Sequence, residues 1–261
     1  MKRSAIIGAG MMGREIAIVY AKAGYQVALV DATMELAQGA KEKIGEILDR
    51  DIKKGRMEES RKAEILAGIT PVSDRKQLAD YDFITEAVPE NFELKESIFK
   101  ELDGICKPET IFLSNTSTIS ITKLSQAVSQ ARKRRFLGTH YFSPASVMKL
   151  VEVIPGHLSD DDVVAKVATM MGELGKETVI VKDVPGFVVN RIYHVIMIEA
   201  LKLLEEGVAS VEDIDRACKF GMGHAVGPFE LYDNTSLDLN LTVQTELFEN
   251  YGERFRPGNL L

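Results

Sequence analysis

Short apolar runs alternate with longer stretches of helical spacing through the front two-thirds of the chain. Ser4–Ile7 reads as a strand and Met11–Ala23 as a helix. Gln26–Val30 is a strand that ends on Asp31, and Met34–Lys54 fits a long polar-faced helix stopped by Gly55. Tyr81–Glu86, Thr110–Leu113, Phe136–Tyr141, Leu150–Ile154 and Thr178–Val181 have strand length, while Phe92–Leu102 and Asp160–Gly172 have helical spacing. Strands that alternate with helices predict an α/β domain, a mostly parallel sheet covered on both faces. The texture changes at Val184-Pro185-Gly186. Beyond it Val188–Glu206, Val211–Phe220 and Phe229–Phe248 carry helical spacing and no alternating strand is evident. The expected organisation is therefore an α/β domain over residues 1–184 and a small all-α domain over 185–261.

Composition narrows the function classes. Of 261 residues, 45% are hydrophobic and 27% charged, which fits a globular core and not a disordered chain or a disulfide scaffold. Lys plus Arg is 32 and Asp plus Glu is 39, and a net charge of −7 argues against a nucleic-acid partner. The two cysteines, Cys106 and Cys218, have no metal-ligand spacing. The apolar stretch after Met-Lys-Arg-Ser is too short for a signal peptide, and no run reaches the ~20 apolar residues of a membrane span. The expected setting is the cytoplasm, with no membrane partner.

Gly8-Ala9-Gly10-Met11-Met12-Gly13 follows the first strand and opens the first helix. Asp31 ends the second strand 18 residues beyond Gly13. In that context the pattern is a dinucleotide-binding turn, and the domain is Rossmann-like. Gly8 permits the tight turn, Gly10 lets the backbone approach a pyrophosphate, and Gly13 lets helix and strand pack closely. The helix N-terminus supplies N–H groups and partial positive charge. Asp31 accepts from both ribose hydroxyls and repels a 2′-phosphate, which favours NAD over NADP. Met11 and Met12 belong to the turn's cofactor-binding set, although each reads more as a packing residue than as a contact.

A second set of polar residues collects at predicted strand ends. Ser114-Asn115-Thr116-Ser117 follows one apolar run, and His140-Tyr141-Phe142-Ser143-Pro144 ends another. Ligands of open α/β sheets sit at that edge. Glu152 lies between Val151 and Val153, where an unpaired buried charge is costly, so it either faces solvent on an edge strand or has a buried partner. His140, twelve residues earlier, is the evident partner. Such a pair fixes the imidazole tautomer and takes a proton from a hydroxyl as a hydride leaves the same carbon. Asn190, early in the first helix of the second domain, reads either as an ordinary polar helix residue or as a donor for a carbonyl oxygen. The run Arg132-Lys133-Arg134-Arg135 reads as a solvated turn, His157 as a surface turn residue and His194 as structural.

Together these residues resemble the L-3-hydroxyacyl-CoA dehydrogenase family. The resemblance runs in order through Gly8 to Gly13, Glu86-Ala87-Val88-Pro89-Glu90-Asn91, Ser114 to Ser117, His140 to Pro144, Val147 to Ile154, Pro185 to Arg191, and Gly227-Pro228-Phe229-Glu230-Leu231. It implies His140 as acid/base, Glu152 as its orienting partner, and Ser117 and Asn190 as hydrogen-bonding partners of the substrate's oxygens. It implies NAD contacts from Asp31, Glu90 and Lys95, with Asn115, Ser117 and Ser143 in the cofactor set. It places Lys54 near the coenzyme A phosphates, makes an acyl-CoA thioester the substrate, and implies a homodimer through the helical domain. Three departures stand out: Ser143 where the family usually has Asn, Ile47 where a serine is frequent, and Leu260-Leu261 where relatives continue with a Gly- and Lys-rich stretch. Two rival readings stay open: a dehydrogenase of this architecture acting on a hydroxy acid without coenzyme A, of sugar-acid or carnitine type, and a non-catalytic NAD-binding protein.

Overall fold

The strands are β1 (Arg3–Ile7), β2 (Gln26–Val30), β3 (Ile69–Val72), β4 (Phe83–Glu86), β5 (Ile111–Ser114), β6 (Phe136–Tyr141), β7 (Leu150–Pro155) and β8 (Glu177–Ile180). They form one sheet in the order β3-β2-β1-β4-β5-β6-β7-β8. Every neighbouring pair is parallel except β6 and β7, which are antiparallel. The computed structural model describes residues 2–235 and 237–258, without the side chain of Leu239. The departure at Leu260-Leu261 lies outside the described residues.

The central strands are apolar almost throughout because helices cover both faces. Ile6, Leu29, Ile84, Phe112 and Leu113 have no exposed surface. The covering helices are α1 (Met11–Lys22), α2 (Met34–Lys53), α3 (Glu59–Ala67), α4 (Phe92–Asp103), α5 (Ile121–Leu124), α6 (Gln130–Lys133) and α7 (Asp161–Glu173). Helix α2 buries Ala37, Ala40, Ile44 and Leu48, a stripe at helical spacing, and starts where Thr33 accepts a hydrogen bond from the Leu36 N–H at 3.2 Å. The chain leaves β1 toward β2 and β3, then crosses back to β4 on the other side of β1. That reversal opens a crevice at the carboxyl ends of β1 and β4, where α/β sheets hold ligands.

The chain divides into two compact units, the second starting at Val184. It contains α8 (Val189–Glu205), α9 (Val211–Gly221), α10 (Pro228–Asn234) and α11 (Leu237–Tyr251). Ile198, Val243, Leu247 and Phe255 form one of its apolar clusters, and Met197, Leu201 and Tyr232 another. Among the described residues no helix is long and apolar enough to cross a membrane.

The structure amends the sequence reading at several points. Strand β3 and helix α3 lie in a stretch where no element was expected. The single helical stretch expected over Phe229–Phe248 is two helices, α10 and α11, because α10 ends at Thr235 in extended backbone. Arg132 is not solvated but 3% exposed: its guanidinium pairs with Asp103 at 3.0 Å and donates to the carbonyls of Cys106, Lys107, Pro108 and Thr110.

Candidate active site

Gly8 has φ +97°, and a Cβ there would stand 2.7 Å from the Ala87 carbonyl oxygen. A Cβ on Gly13 would come within 1.8 Å of the Gly8 carbonyl oxygen, so the turn and helix α1 pack backbone to backbone. A Cβ on Gly10 would meet nothing within 4 Å, which leaves open space in front of the turn. Helix α1 begins there with no side-chain cap and no acid in its first turn. An uncapped helix start facing open space suits a phosphate. Asp31 stands beside it: Oδ2 accepts from the Ala9 N–H at 2.8 Å and Oδ1 from the Ala32 N–H at 2.7 Å. The acid thus braces the glycine turn it is expected to serve. Met12 packs against the core, whereas Met11 is 61% exposed and does not pack as expected.

His140 is the fifth residue of β6, and the antiparallel register sets Glu152 of β7 directly opposite it. Both point into the same side of the ladder. Glu152 Oε2 is 2.8 Å from His140 Nδ1, with Glu152 fully buried and His140 4% exposed. Strand β7 lies between β6 and β8, so the edge-strand alternative for Glu152 falls away. An ionised carboxylate only accepts, so Nδ1 carries the proton and Nε2 presents a lone pair. Ser117 Oγ lies 3.1 Å from that Nε2. Asn115 Oδ1 accepts from the Tyr141 N–H at 2.9 Å and ties the end of β5 to the end of β6. The Phe142 ring meets the imidazole edge-on, with centroids 4.7 Å apart.

The turn that carries Ser117 rests on Glu90. Glu90 Oε1 accepts from Thr116 Oγ1, the Ser117 N–H (2.9 Å), the Thr118 N–H (2.9 Å) and Thr118 Oγ1 (3.1 Å). Its Oε2 lies 3.1 Å from the Lys95 ammonium. Burial pushes the Glu90 carboxyl up, but Lys95 and the donors of the turn outweigh it and hold the group below the ordinary carboxylate value. Lys95 is 1% exposed and also pairs with fully buried Glu86 at 2.6 Å. Sequence reasoning gave neither Glu86 nor Ser114 a role, although Ser114 Oγ donates to Glu86 Oε2 at 2.6 Å. The signal was present: Lys95 falls on the apolar stripe Ile98, Phe99 and Leu102 of α4, where a lysine needs a buried acid.

The structure thus brings Asp31 and the glycine turn together at one end of the strands, and Asn115, Ser117, His140, Glu152, Glu90 and Lys95 in one hydrogen-bonded set. Ser143 is exposed, two residues beyond β6. Lys54 caps the far end of α2, about 30 Å along that helix from its start near Asp31, and is exposed. Asn190 belongs to the second unit, in the first turn of α8, and is half-buried. Among the described residues no group of His, Cys, Asp and Glu could hold a metal ion.

The family description "3-hydroxyacyl-CoA dehydrogenase, NAD binding domain" matches residues 3–184, and "3-hydroxyacyl-CoA dehydrogenase, C-terminal domain" matches 186–261. The chain belongs to the 3-hydroxyacyl-CoA dehydrogenase family. It is 38% identical to a 3-hydroxybutyryl-CoA dehydrogenase of Bradyrhizobium diazoefficiens, over 100% of this chain and 89% of that protein. It is 40% identical to the mitochondrial hydroxyacyl-coenzyme A dehydrogenase of Sus scrofa, over 91% of this chain and 77% of that one. The crystal structure of an (S)-3-hydroxybutyryl-CoA dehydrogenase from Ralstonia eutropha superposes with a TM-score of 0.94 at 41% identity, covering 100% of this chain and 92% of that chain. Family membership makes NAD the cofactor of the first domain, which the open glycine turn and Asp31 fit.

Proposed function

We propose that this protein catalyses the reversible oxidation of an L-3-hydroxyacyl-CoA to the 3-ketoacyl-CoA with NAD. The hydrogen-bonded series Ser117–His140–Glu152, in the domain that carries the glycine turn, is the observation that carries this reading. Bound NAD would supply the hydride acceptor for the substrate's C3 and, in reverse, the hydride donor. His140 Nε2 receives the proton of the 3-hydroxyl in oxidation and gives it back to the 3-keto oxygen in reduction. Glu152 holds Nδ1–H and stabilises the imidazolium that forms. Ser117 and Asn190 hydrogen-bond the substrate's oxygens, Ser117 from its place on Nε2. The proposed NAD set is Gly8, Gly10, Met11, Met12, Gly13 and Asp31 on the adenosine and pyrophosphate side. Glu90 with Lys95 behind it, Asn115, Ser117 and Ser143 complete it on the reacting side. Lys54 is the proposed partner of a coenzyme A phosphate. The relatives' names support an acyl-CoA substrate. A cytoplasmic homodimer joined through the helical domain is the assembly we propose with it, from the family resemblance alone.

The test is NADH oxidation by the purified protein with acetoacetyl-CoA, beside free acetoacetate and with NADPH as cofactor control. Turnover confined to the thioester and NADH is expected. Equal rates with free acetoacetate would move the assignment to a hydroxy acid without coenzyme A. The His140→Ala variant is expected to lose turnover by ~10³-fold or more while still binding NADH. Loss of NADH binding in that variant would make His140 a cofactor-site residue and not the acid/base.

A further inference from the structure

Both carboxylate oxygens of Glu90 meet groups of the protein, Oε1 in the turn and Oε2 at Lys95. Backbone N–H groups of two successive residues, Ser117 and Thr118, converge on Oε1 together with the hydroxyls of Thr116 and Thr118. Successive N–H groups that close on one oxygen form an anion nest. Here the anion is a side chain four residues beyond the end of β4. Thr116 Oγ1 in turn accepts from the Ile119 N–H at 2.9 Å, which carries the constraint to the far side of the turn.

Glu90 is itself held from behind. The Lys95 ammonium has three N–H donors and three acceptors: Glu86 Oε1 at 2.6 Å, Glu90 Oε2 at 3.1 Å and the Val88 carbonyl at 3.3 Å. Glu86 Oε1 also accepts from the Val88 N–H at 2.8 Å, and its Oε2 takes the Ser114 hydroxyl. Ser114 Oγ then accepts from the Thr116 N–H at 3.3 Å. The ends of β4 and β5, helix α4 and the Ser117 turn are thereby joined by one set of polar groups, of which Glu86 and Lys95 are buried and Glu90 is exposed. Burying Glu86 and Lys95 inside an α/β core is expensive, and an apolar pair of the same size would hold the fold as well or better. The set's last link is the residue that meets His140 Nε2.

We propose, resting on the dehydrogenase reading of this site, that Glu90 is a positioning residue for the reaction: with Lys95 and Glu86 behind it, its carboxylate fixes the Thr116–Thr118 turn so that the Ser117 hydroxyl is set against His140. A displacement of ~1 Å at such a hydroxyl is enough to cost ~10²-fold in rate. The positioning role acts through Ser117, so its contribution to kcat exists only while Ser117 does, whereas a contact of Glu90 with NAD is read in the KM for NADH.

A double-mutant cycle with acetoacetyl-CoA and NADH tests this directly, using Ser117→Ala, Glu90→Ala and the pair in the full-length protein. Glu90→Ala is expected to lower kcat by about 10- to 100-fold when Ser117 is present and by less than about 3-fold when it is absent. A role in general stability, or in cofactor binding alone, lowers activity by the same factor in both backgrounds, and that result overturns the proposal. Glu90→Asp keeps the charge that Lys95 needs but withdraws the carboxylate from the turn by about one bond length. It serves the same cycle if Glu90→Ala does not fold. A second arm needs no turnover: hydrogen exchange of the peptide spanning residues 114–119, read by mass spectrometry. Exchange at least ~10-fold faster in either Glu90 variant is expected, because the Ser117 and Thr118 N–H groups lose their acceptor. Unchanged exchange overturns the proposal. If the wild-type protein does not reduce acetoacetyl-CoA, the substrate assignment fails and the exchange arm alone decides whether Glu90 holds the turn.

Discussion

Glu152 has no exposed surface between Val151 and Val153, and its Oε2 accepts from His140 Nδ1 at 2.8 Å. A carboxylate at Nδ1 stabilises the imidazolium that forms when Nε2 takes a proton. Replacing it by Gln preserves volume and an acceptor oxygen but removes the negative charge that stabilises the imidazolium. Glu152→Gln is therefore expected to lower kcat by ~10²-fold or more with little change in the KM for the thioester, measured by steady-state kinetics. A rise in KM at constant kcat would instead make Glu152 a residue of ground-state binding. This pair was legible from the sequence because an acid in an apolar strand has few explanations and the spacing to His140 fits a strand pair joined by a short loop. The Glu86–Lys95–Glu90 set was less legible. Glu86 ends its strand, where acids are common, and Lys95 reads as one more lysine of a polar helix until the stripe of α4 is laid out in three dimensions.

The turn between β1 and α1 separates two uses of glycine within six residues. At Gly13 an added Cβ would collide with the Gly8 carbonyl at 1.8 Å, whereas at Gly10 it would enter open space. Gly13→Ala is expected to displace α1 from β1 and lower thermal stability by several degrees, together with NADH affinity. Gly10→Ala is expected to leave the melting temperature within a degree or two and still weaken NADH binding by ~10-fold or more, because the new methyl stands where a pyrophosphate approaches. Melting curves and NADH fluorescence titration of the two variants check both statements, and unimpaired NADH binding by Gly10→Ala would sink the second. The elements around this turn were readable because buried parallel strands are continuous apolar runs, here followed by glycine or acid. Strand β3 was not, since Ile69-Thr70-Pro71-Val72 is short, carries a proline and pairs on one side only. Neither was the burial of Arg132, which depends on five acceptors brought together from Asp103 and the loop before β5.

Across the whole molecule the charge that most affects acid stability need not belong to the catalytic set. His194 of α8 is 6% exposed, and among the described residues its Nδ1 has no hydrogen-bond partner. Burial pushes its pKa down from 6.5 to about 4. The folded chain therefore keeps this imidazole neutral over a range in which the unfolded chain protonates it. Below pH ~6.5 the unfolded state binds the extra proton, so stability falls as pH falls, and the loss levels off near pH 4 where the folded state is protonated too. One unit of pKa difference corresponds to about 1.4 kcal/mol, so the loss between pH 7 and pH 5 from this residue is about 2 kcal/mol. Urea unfolding of the wild-type protein and of His194→Phe at the two pH values isolates it. The variant is expected to lose about 2 kcal/mol less than the wild type on acidification, while NADH affinity at pH 7 stays the same. Equal acid sensitivity in the two proteins would mean that His194 is solvated enough to titrate normally. The acid sensitivity would then have to come from carboxyls held below their ordinary value in the folded chain, Glu90 among them.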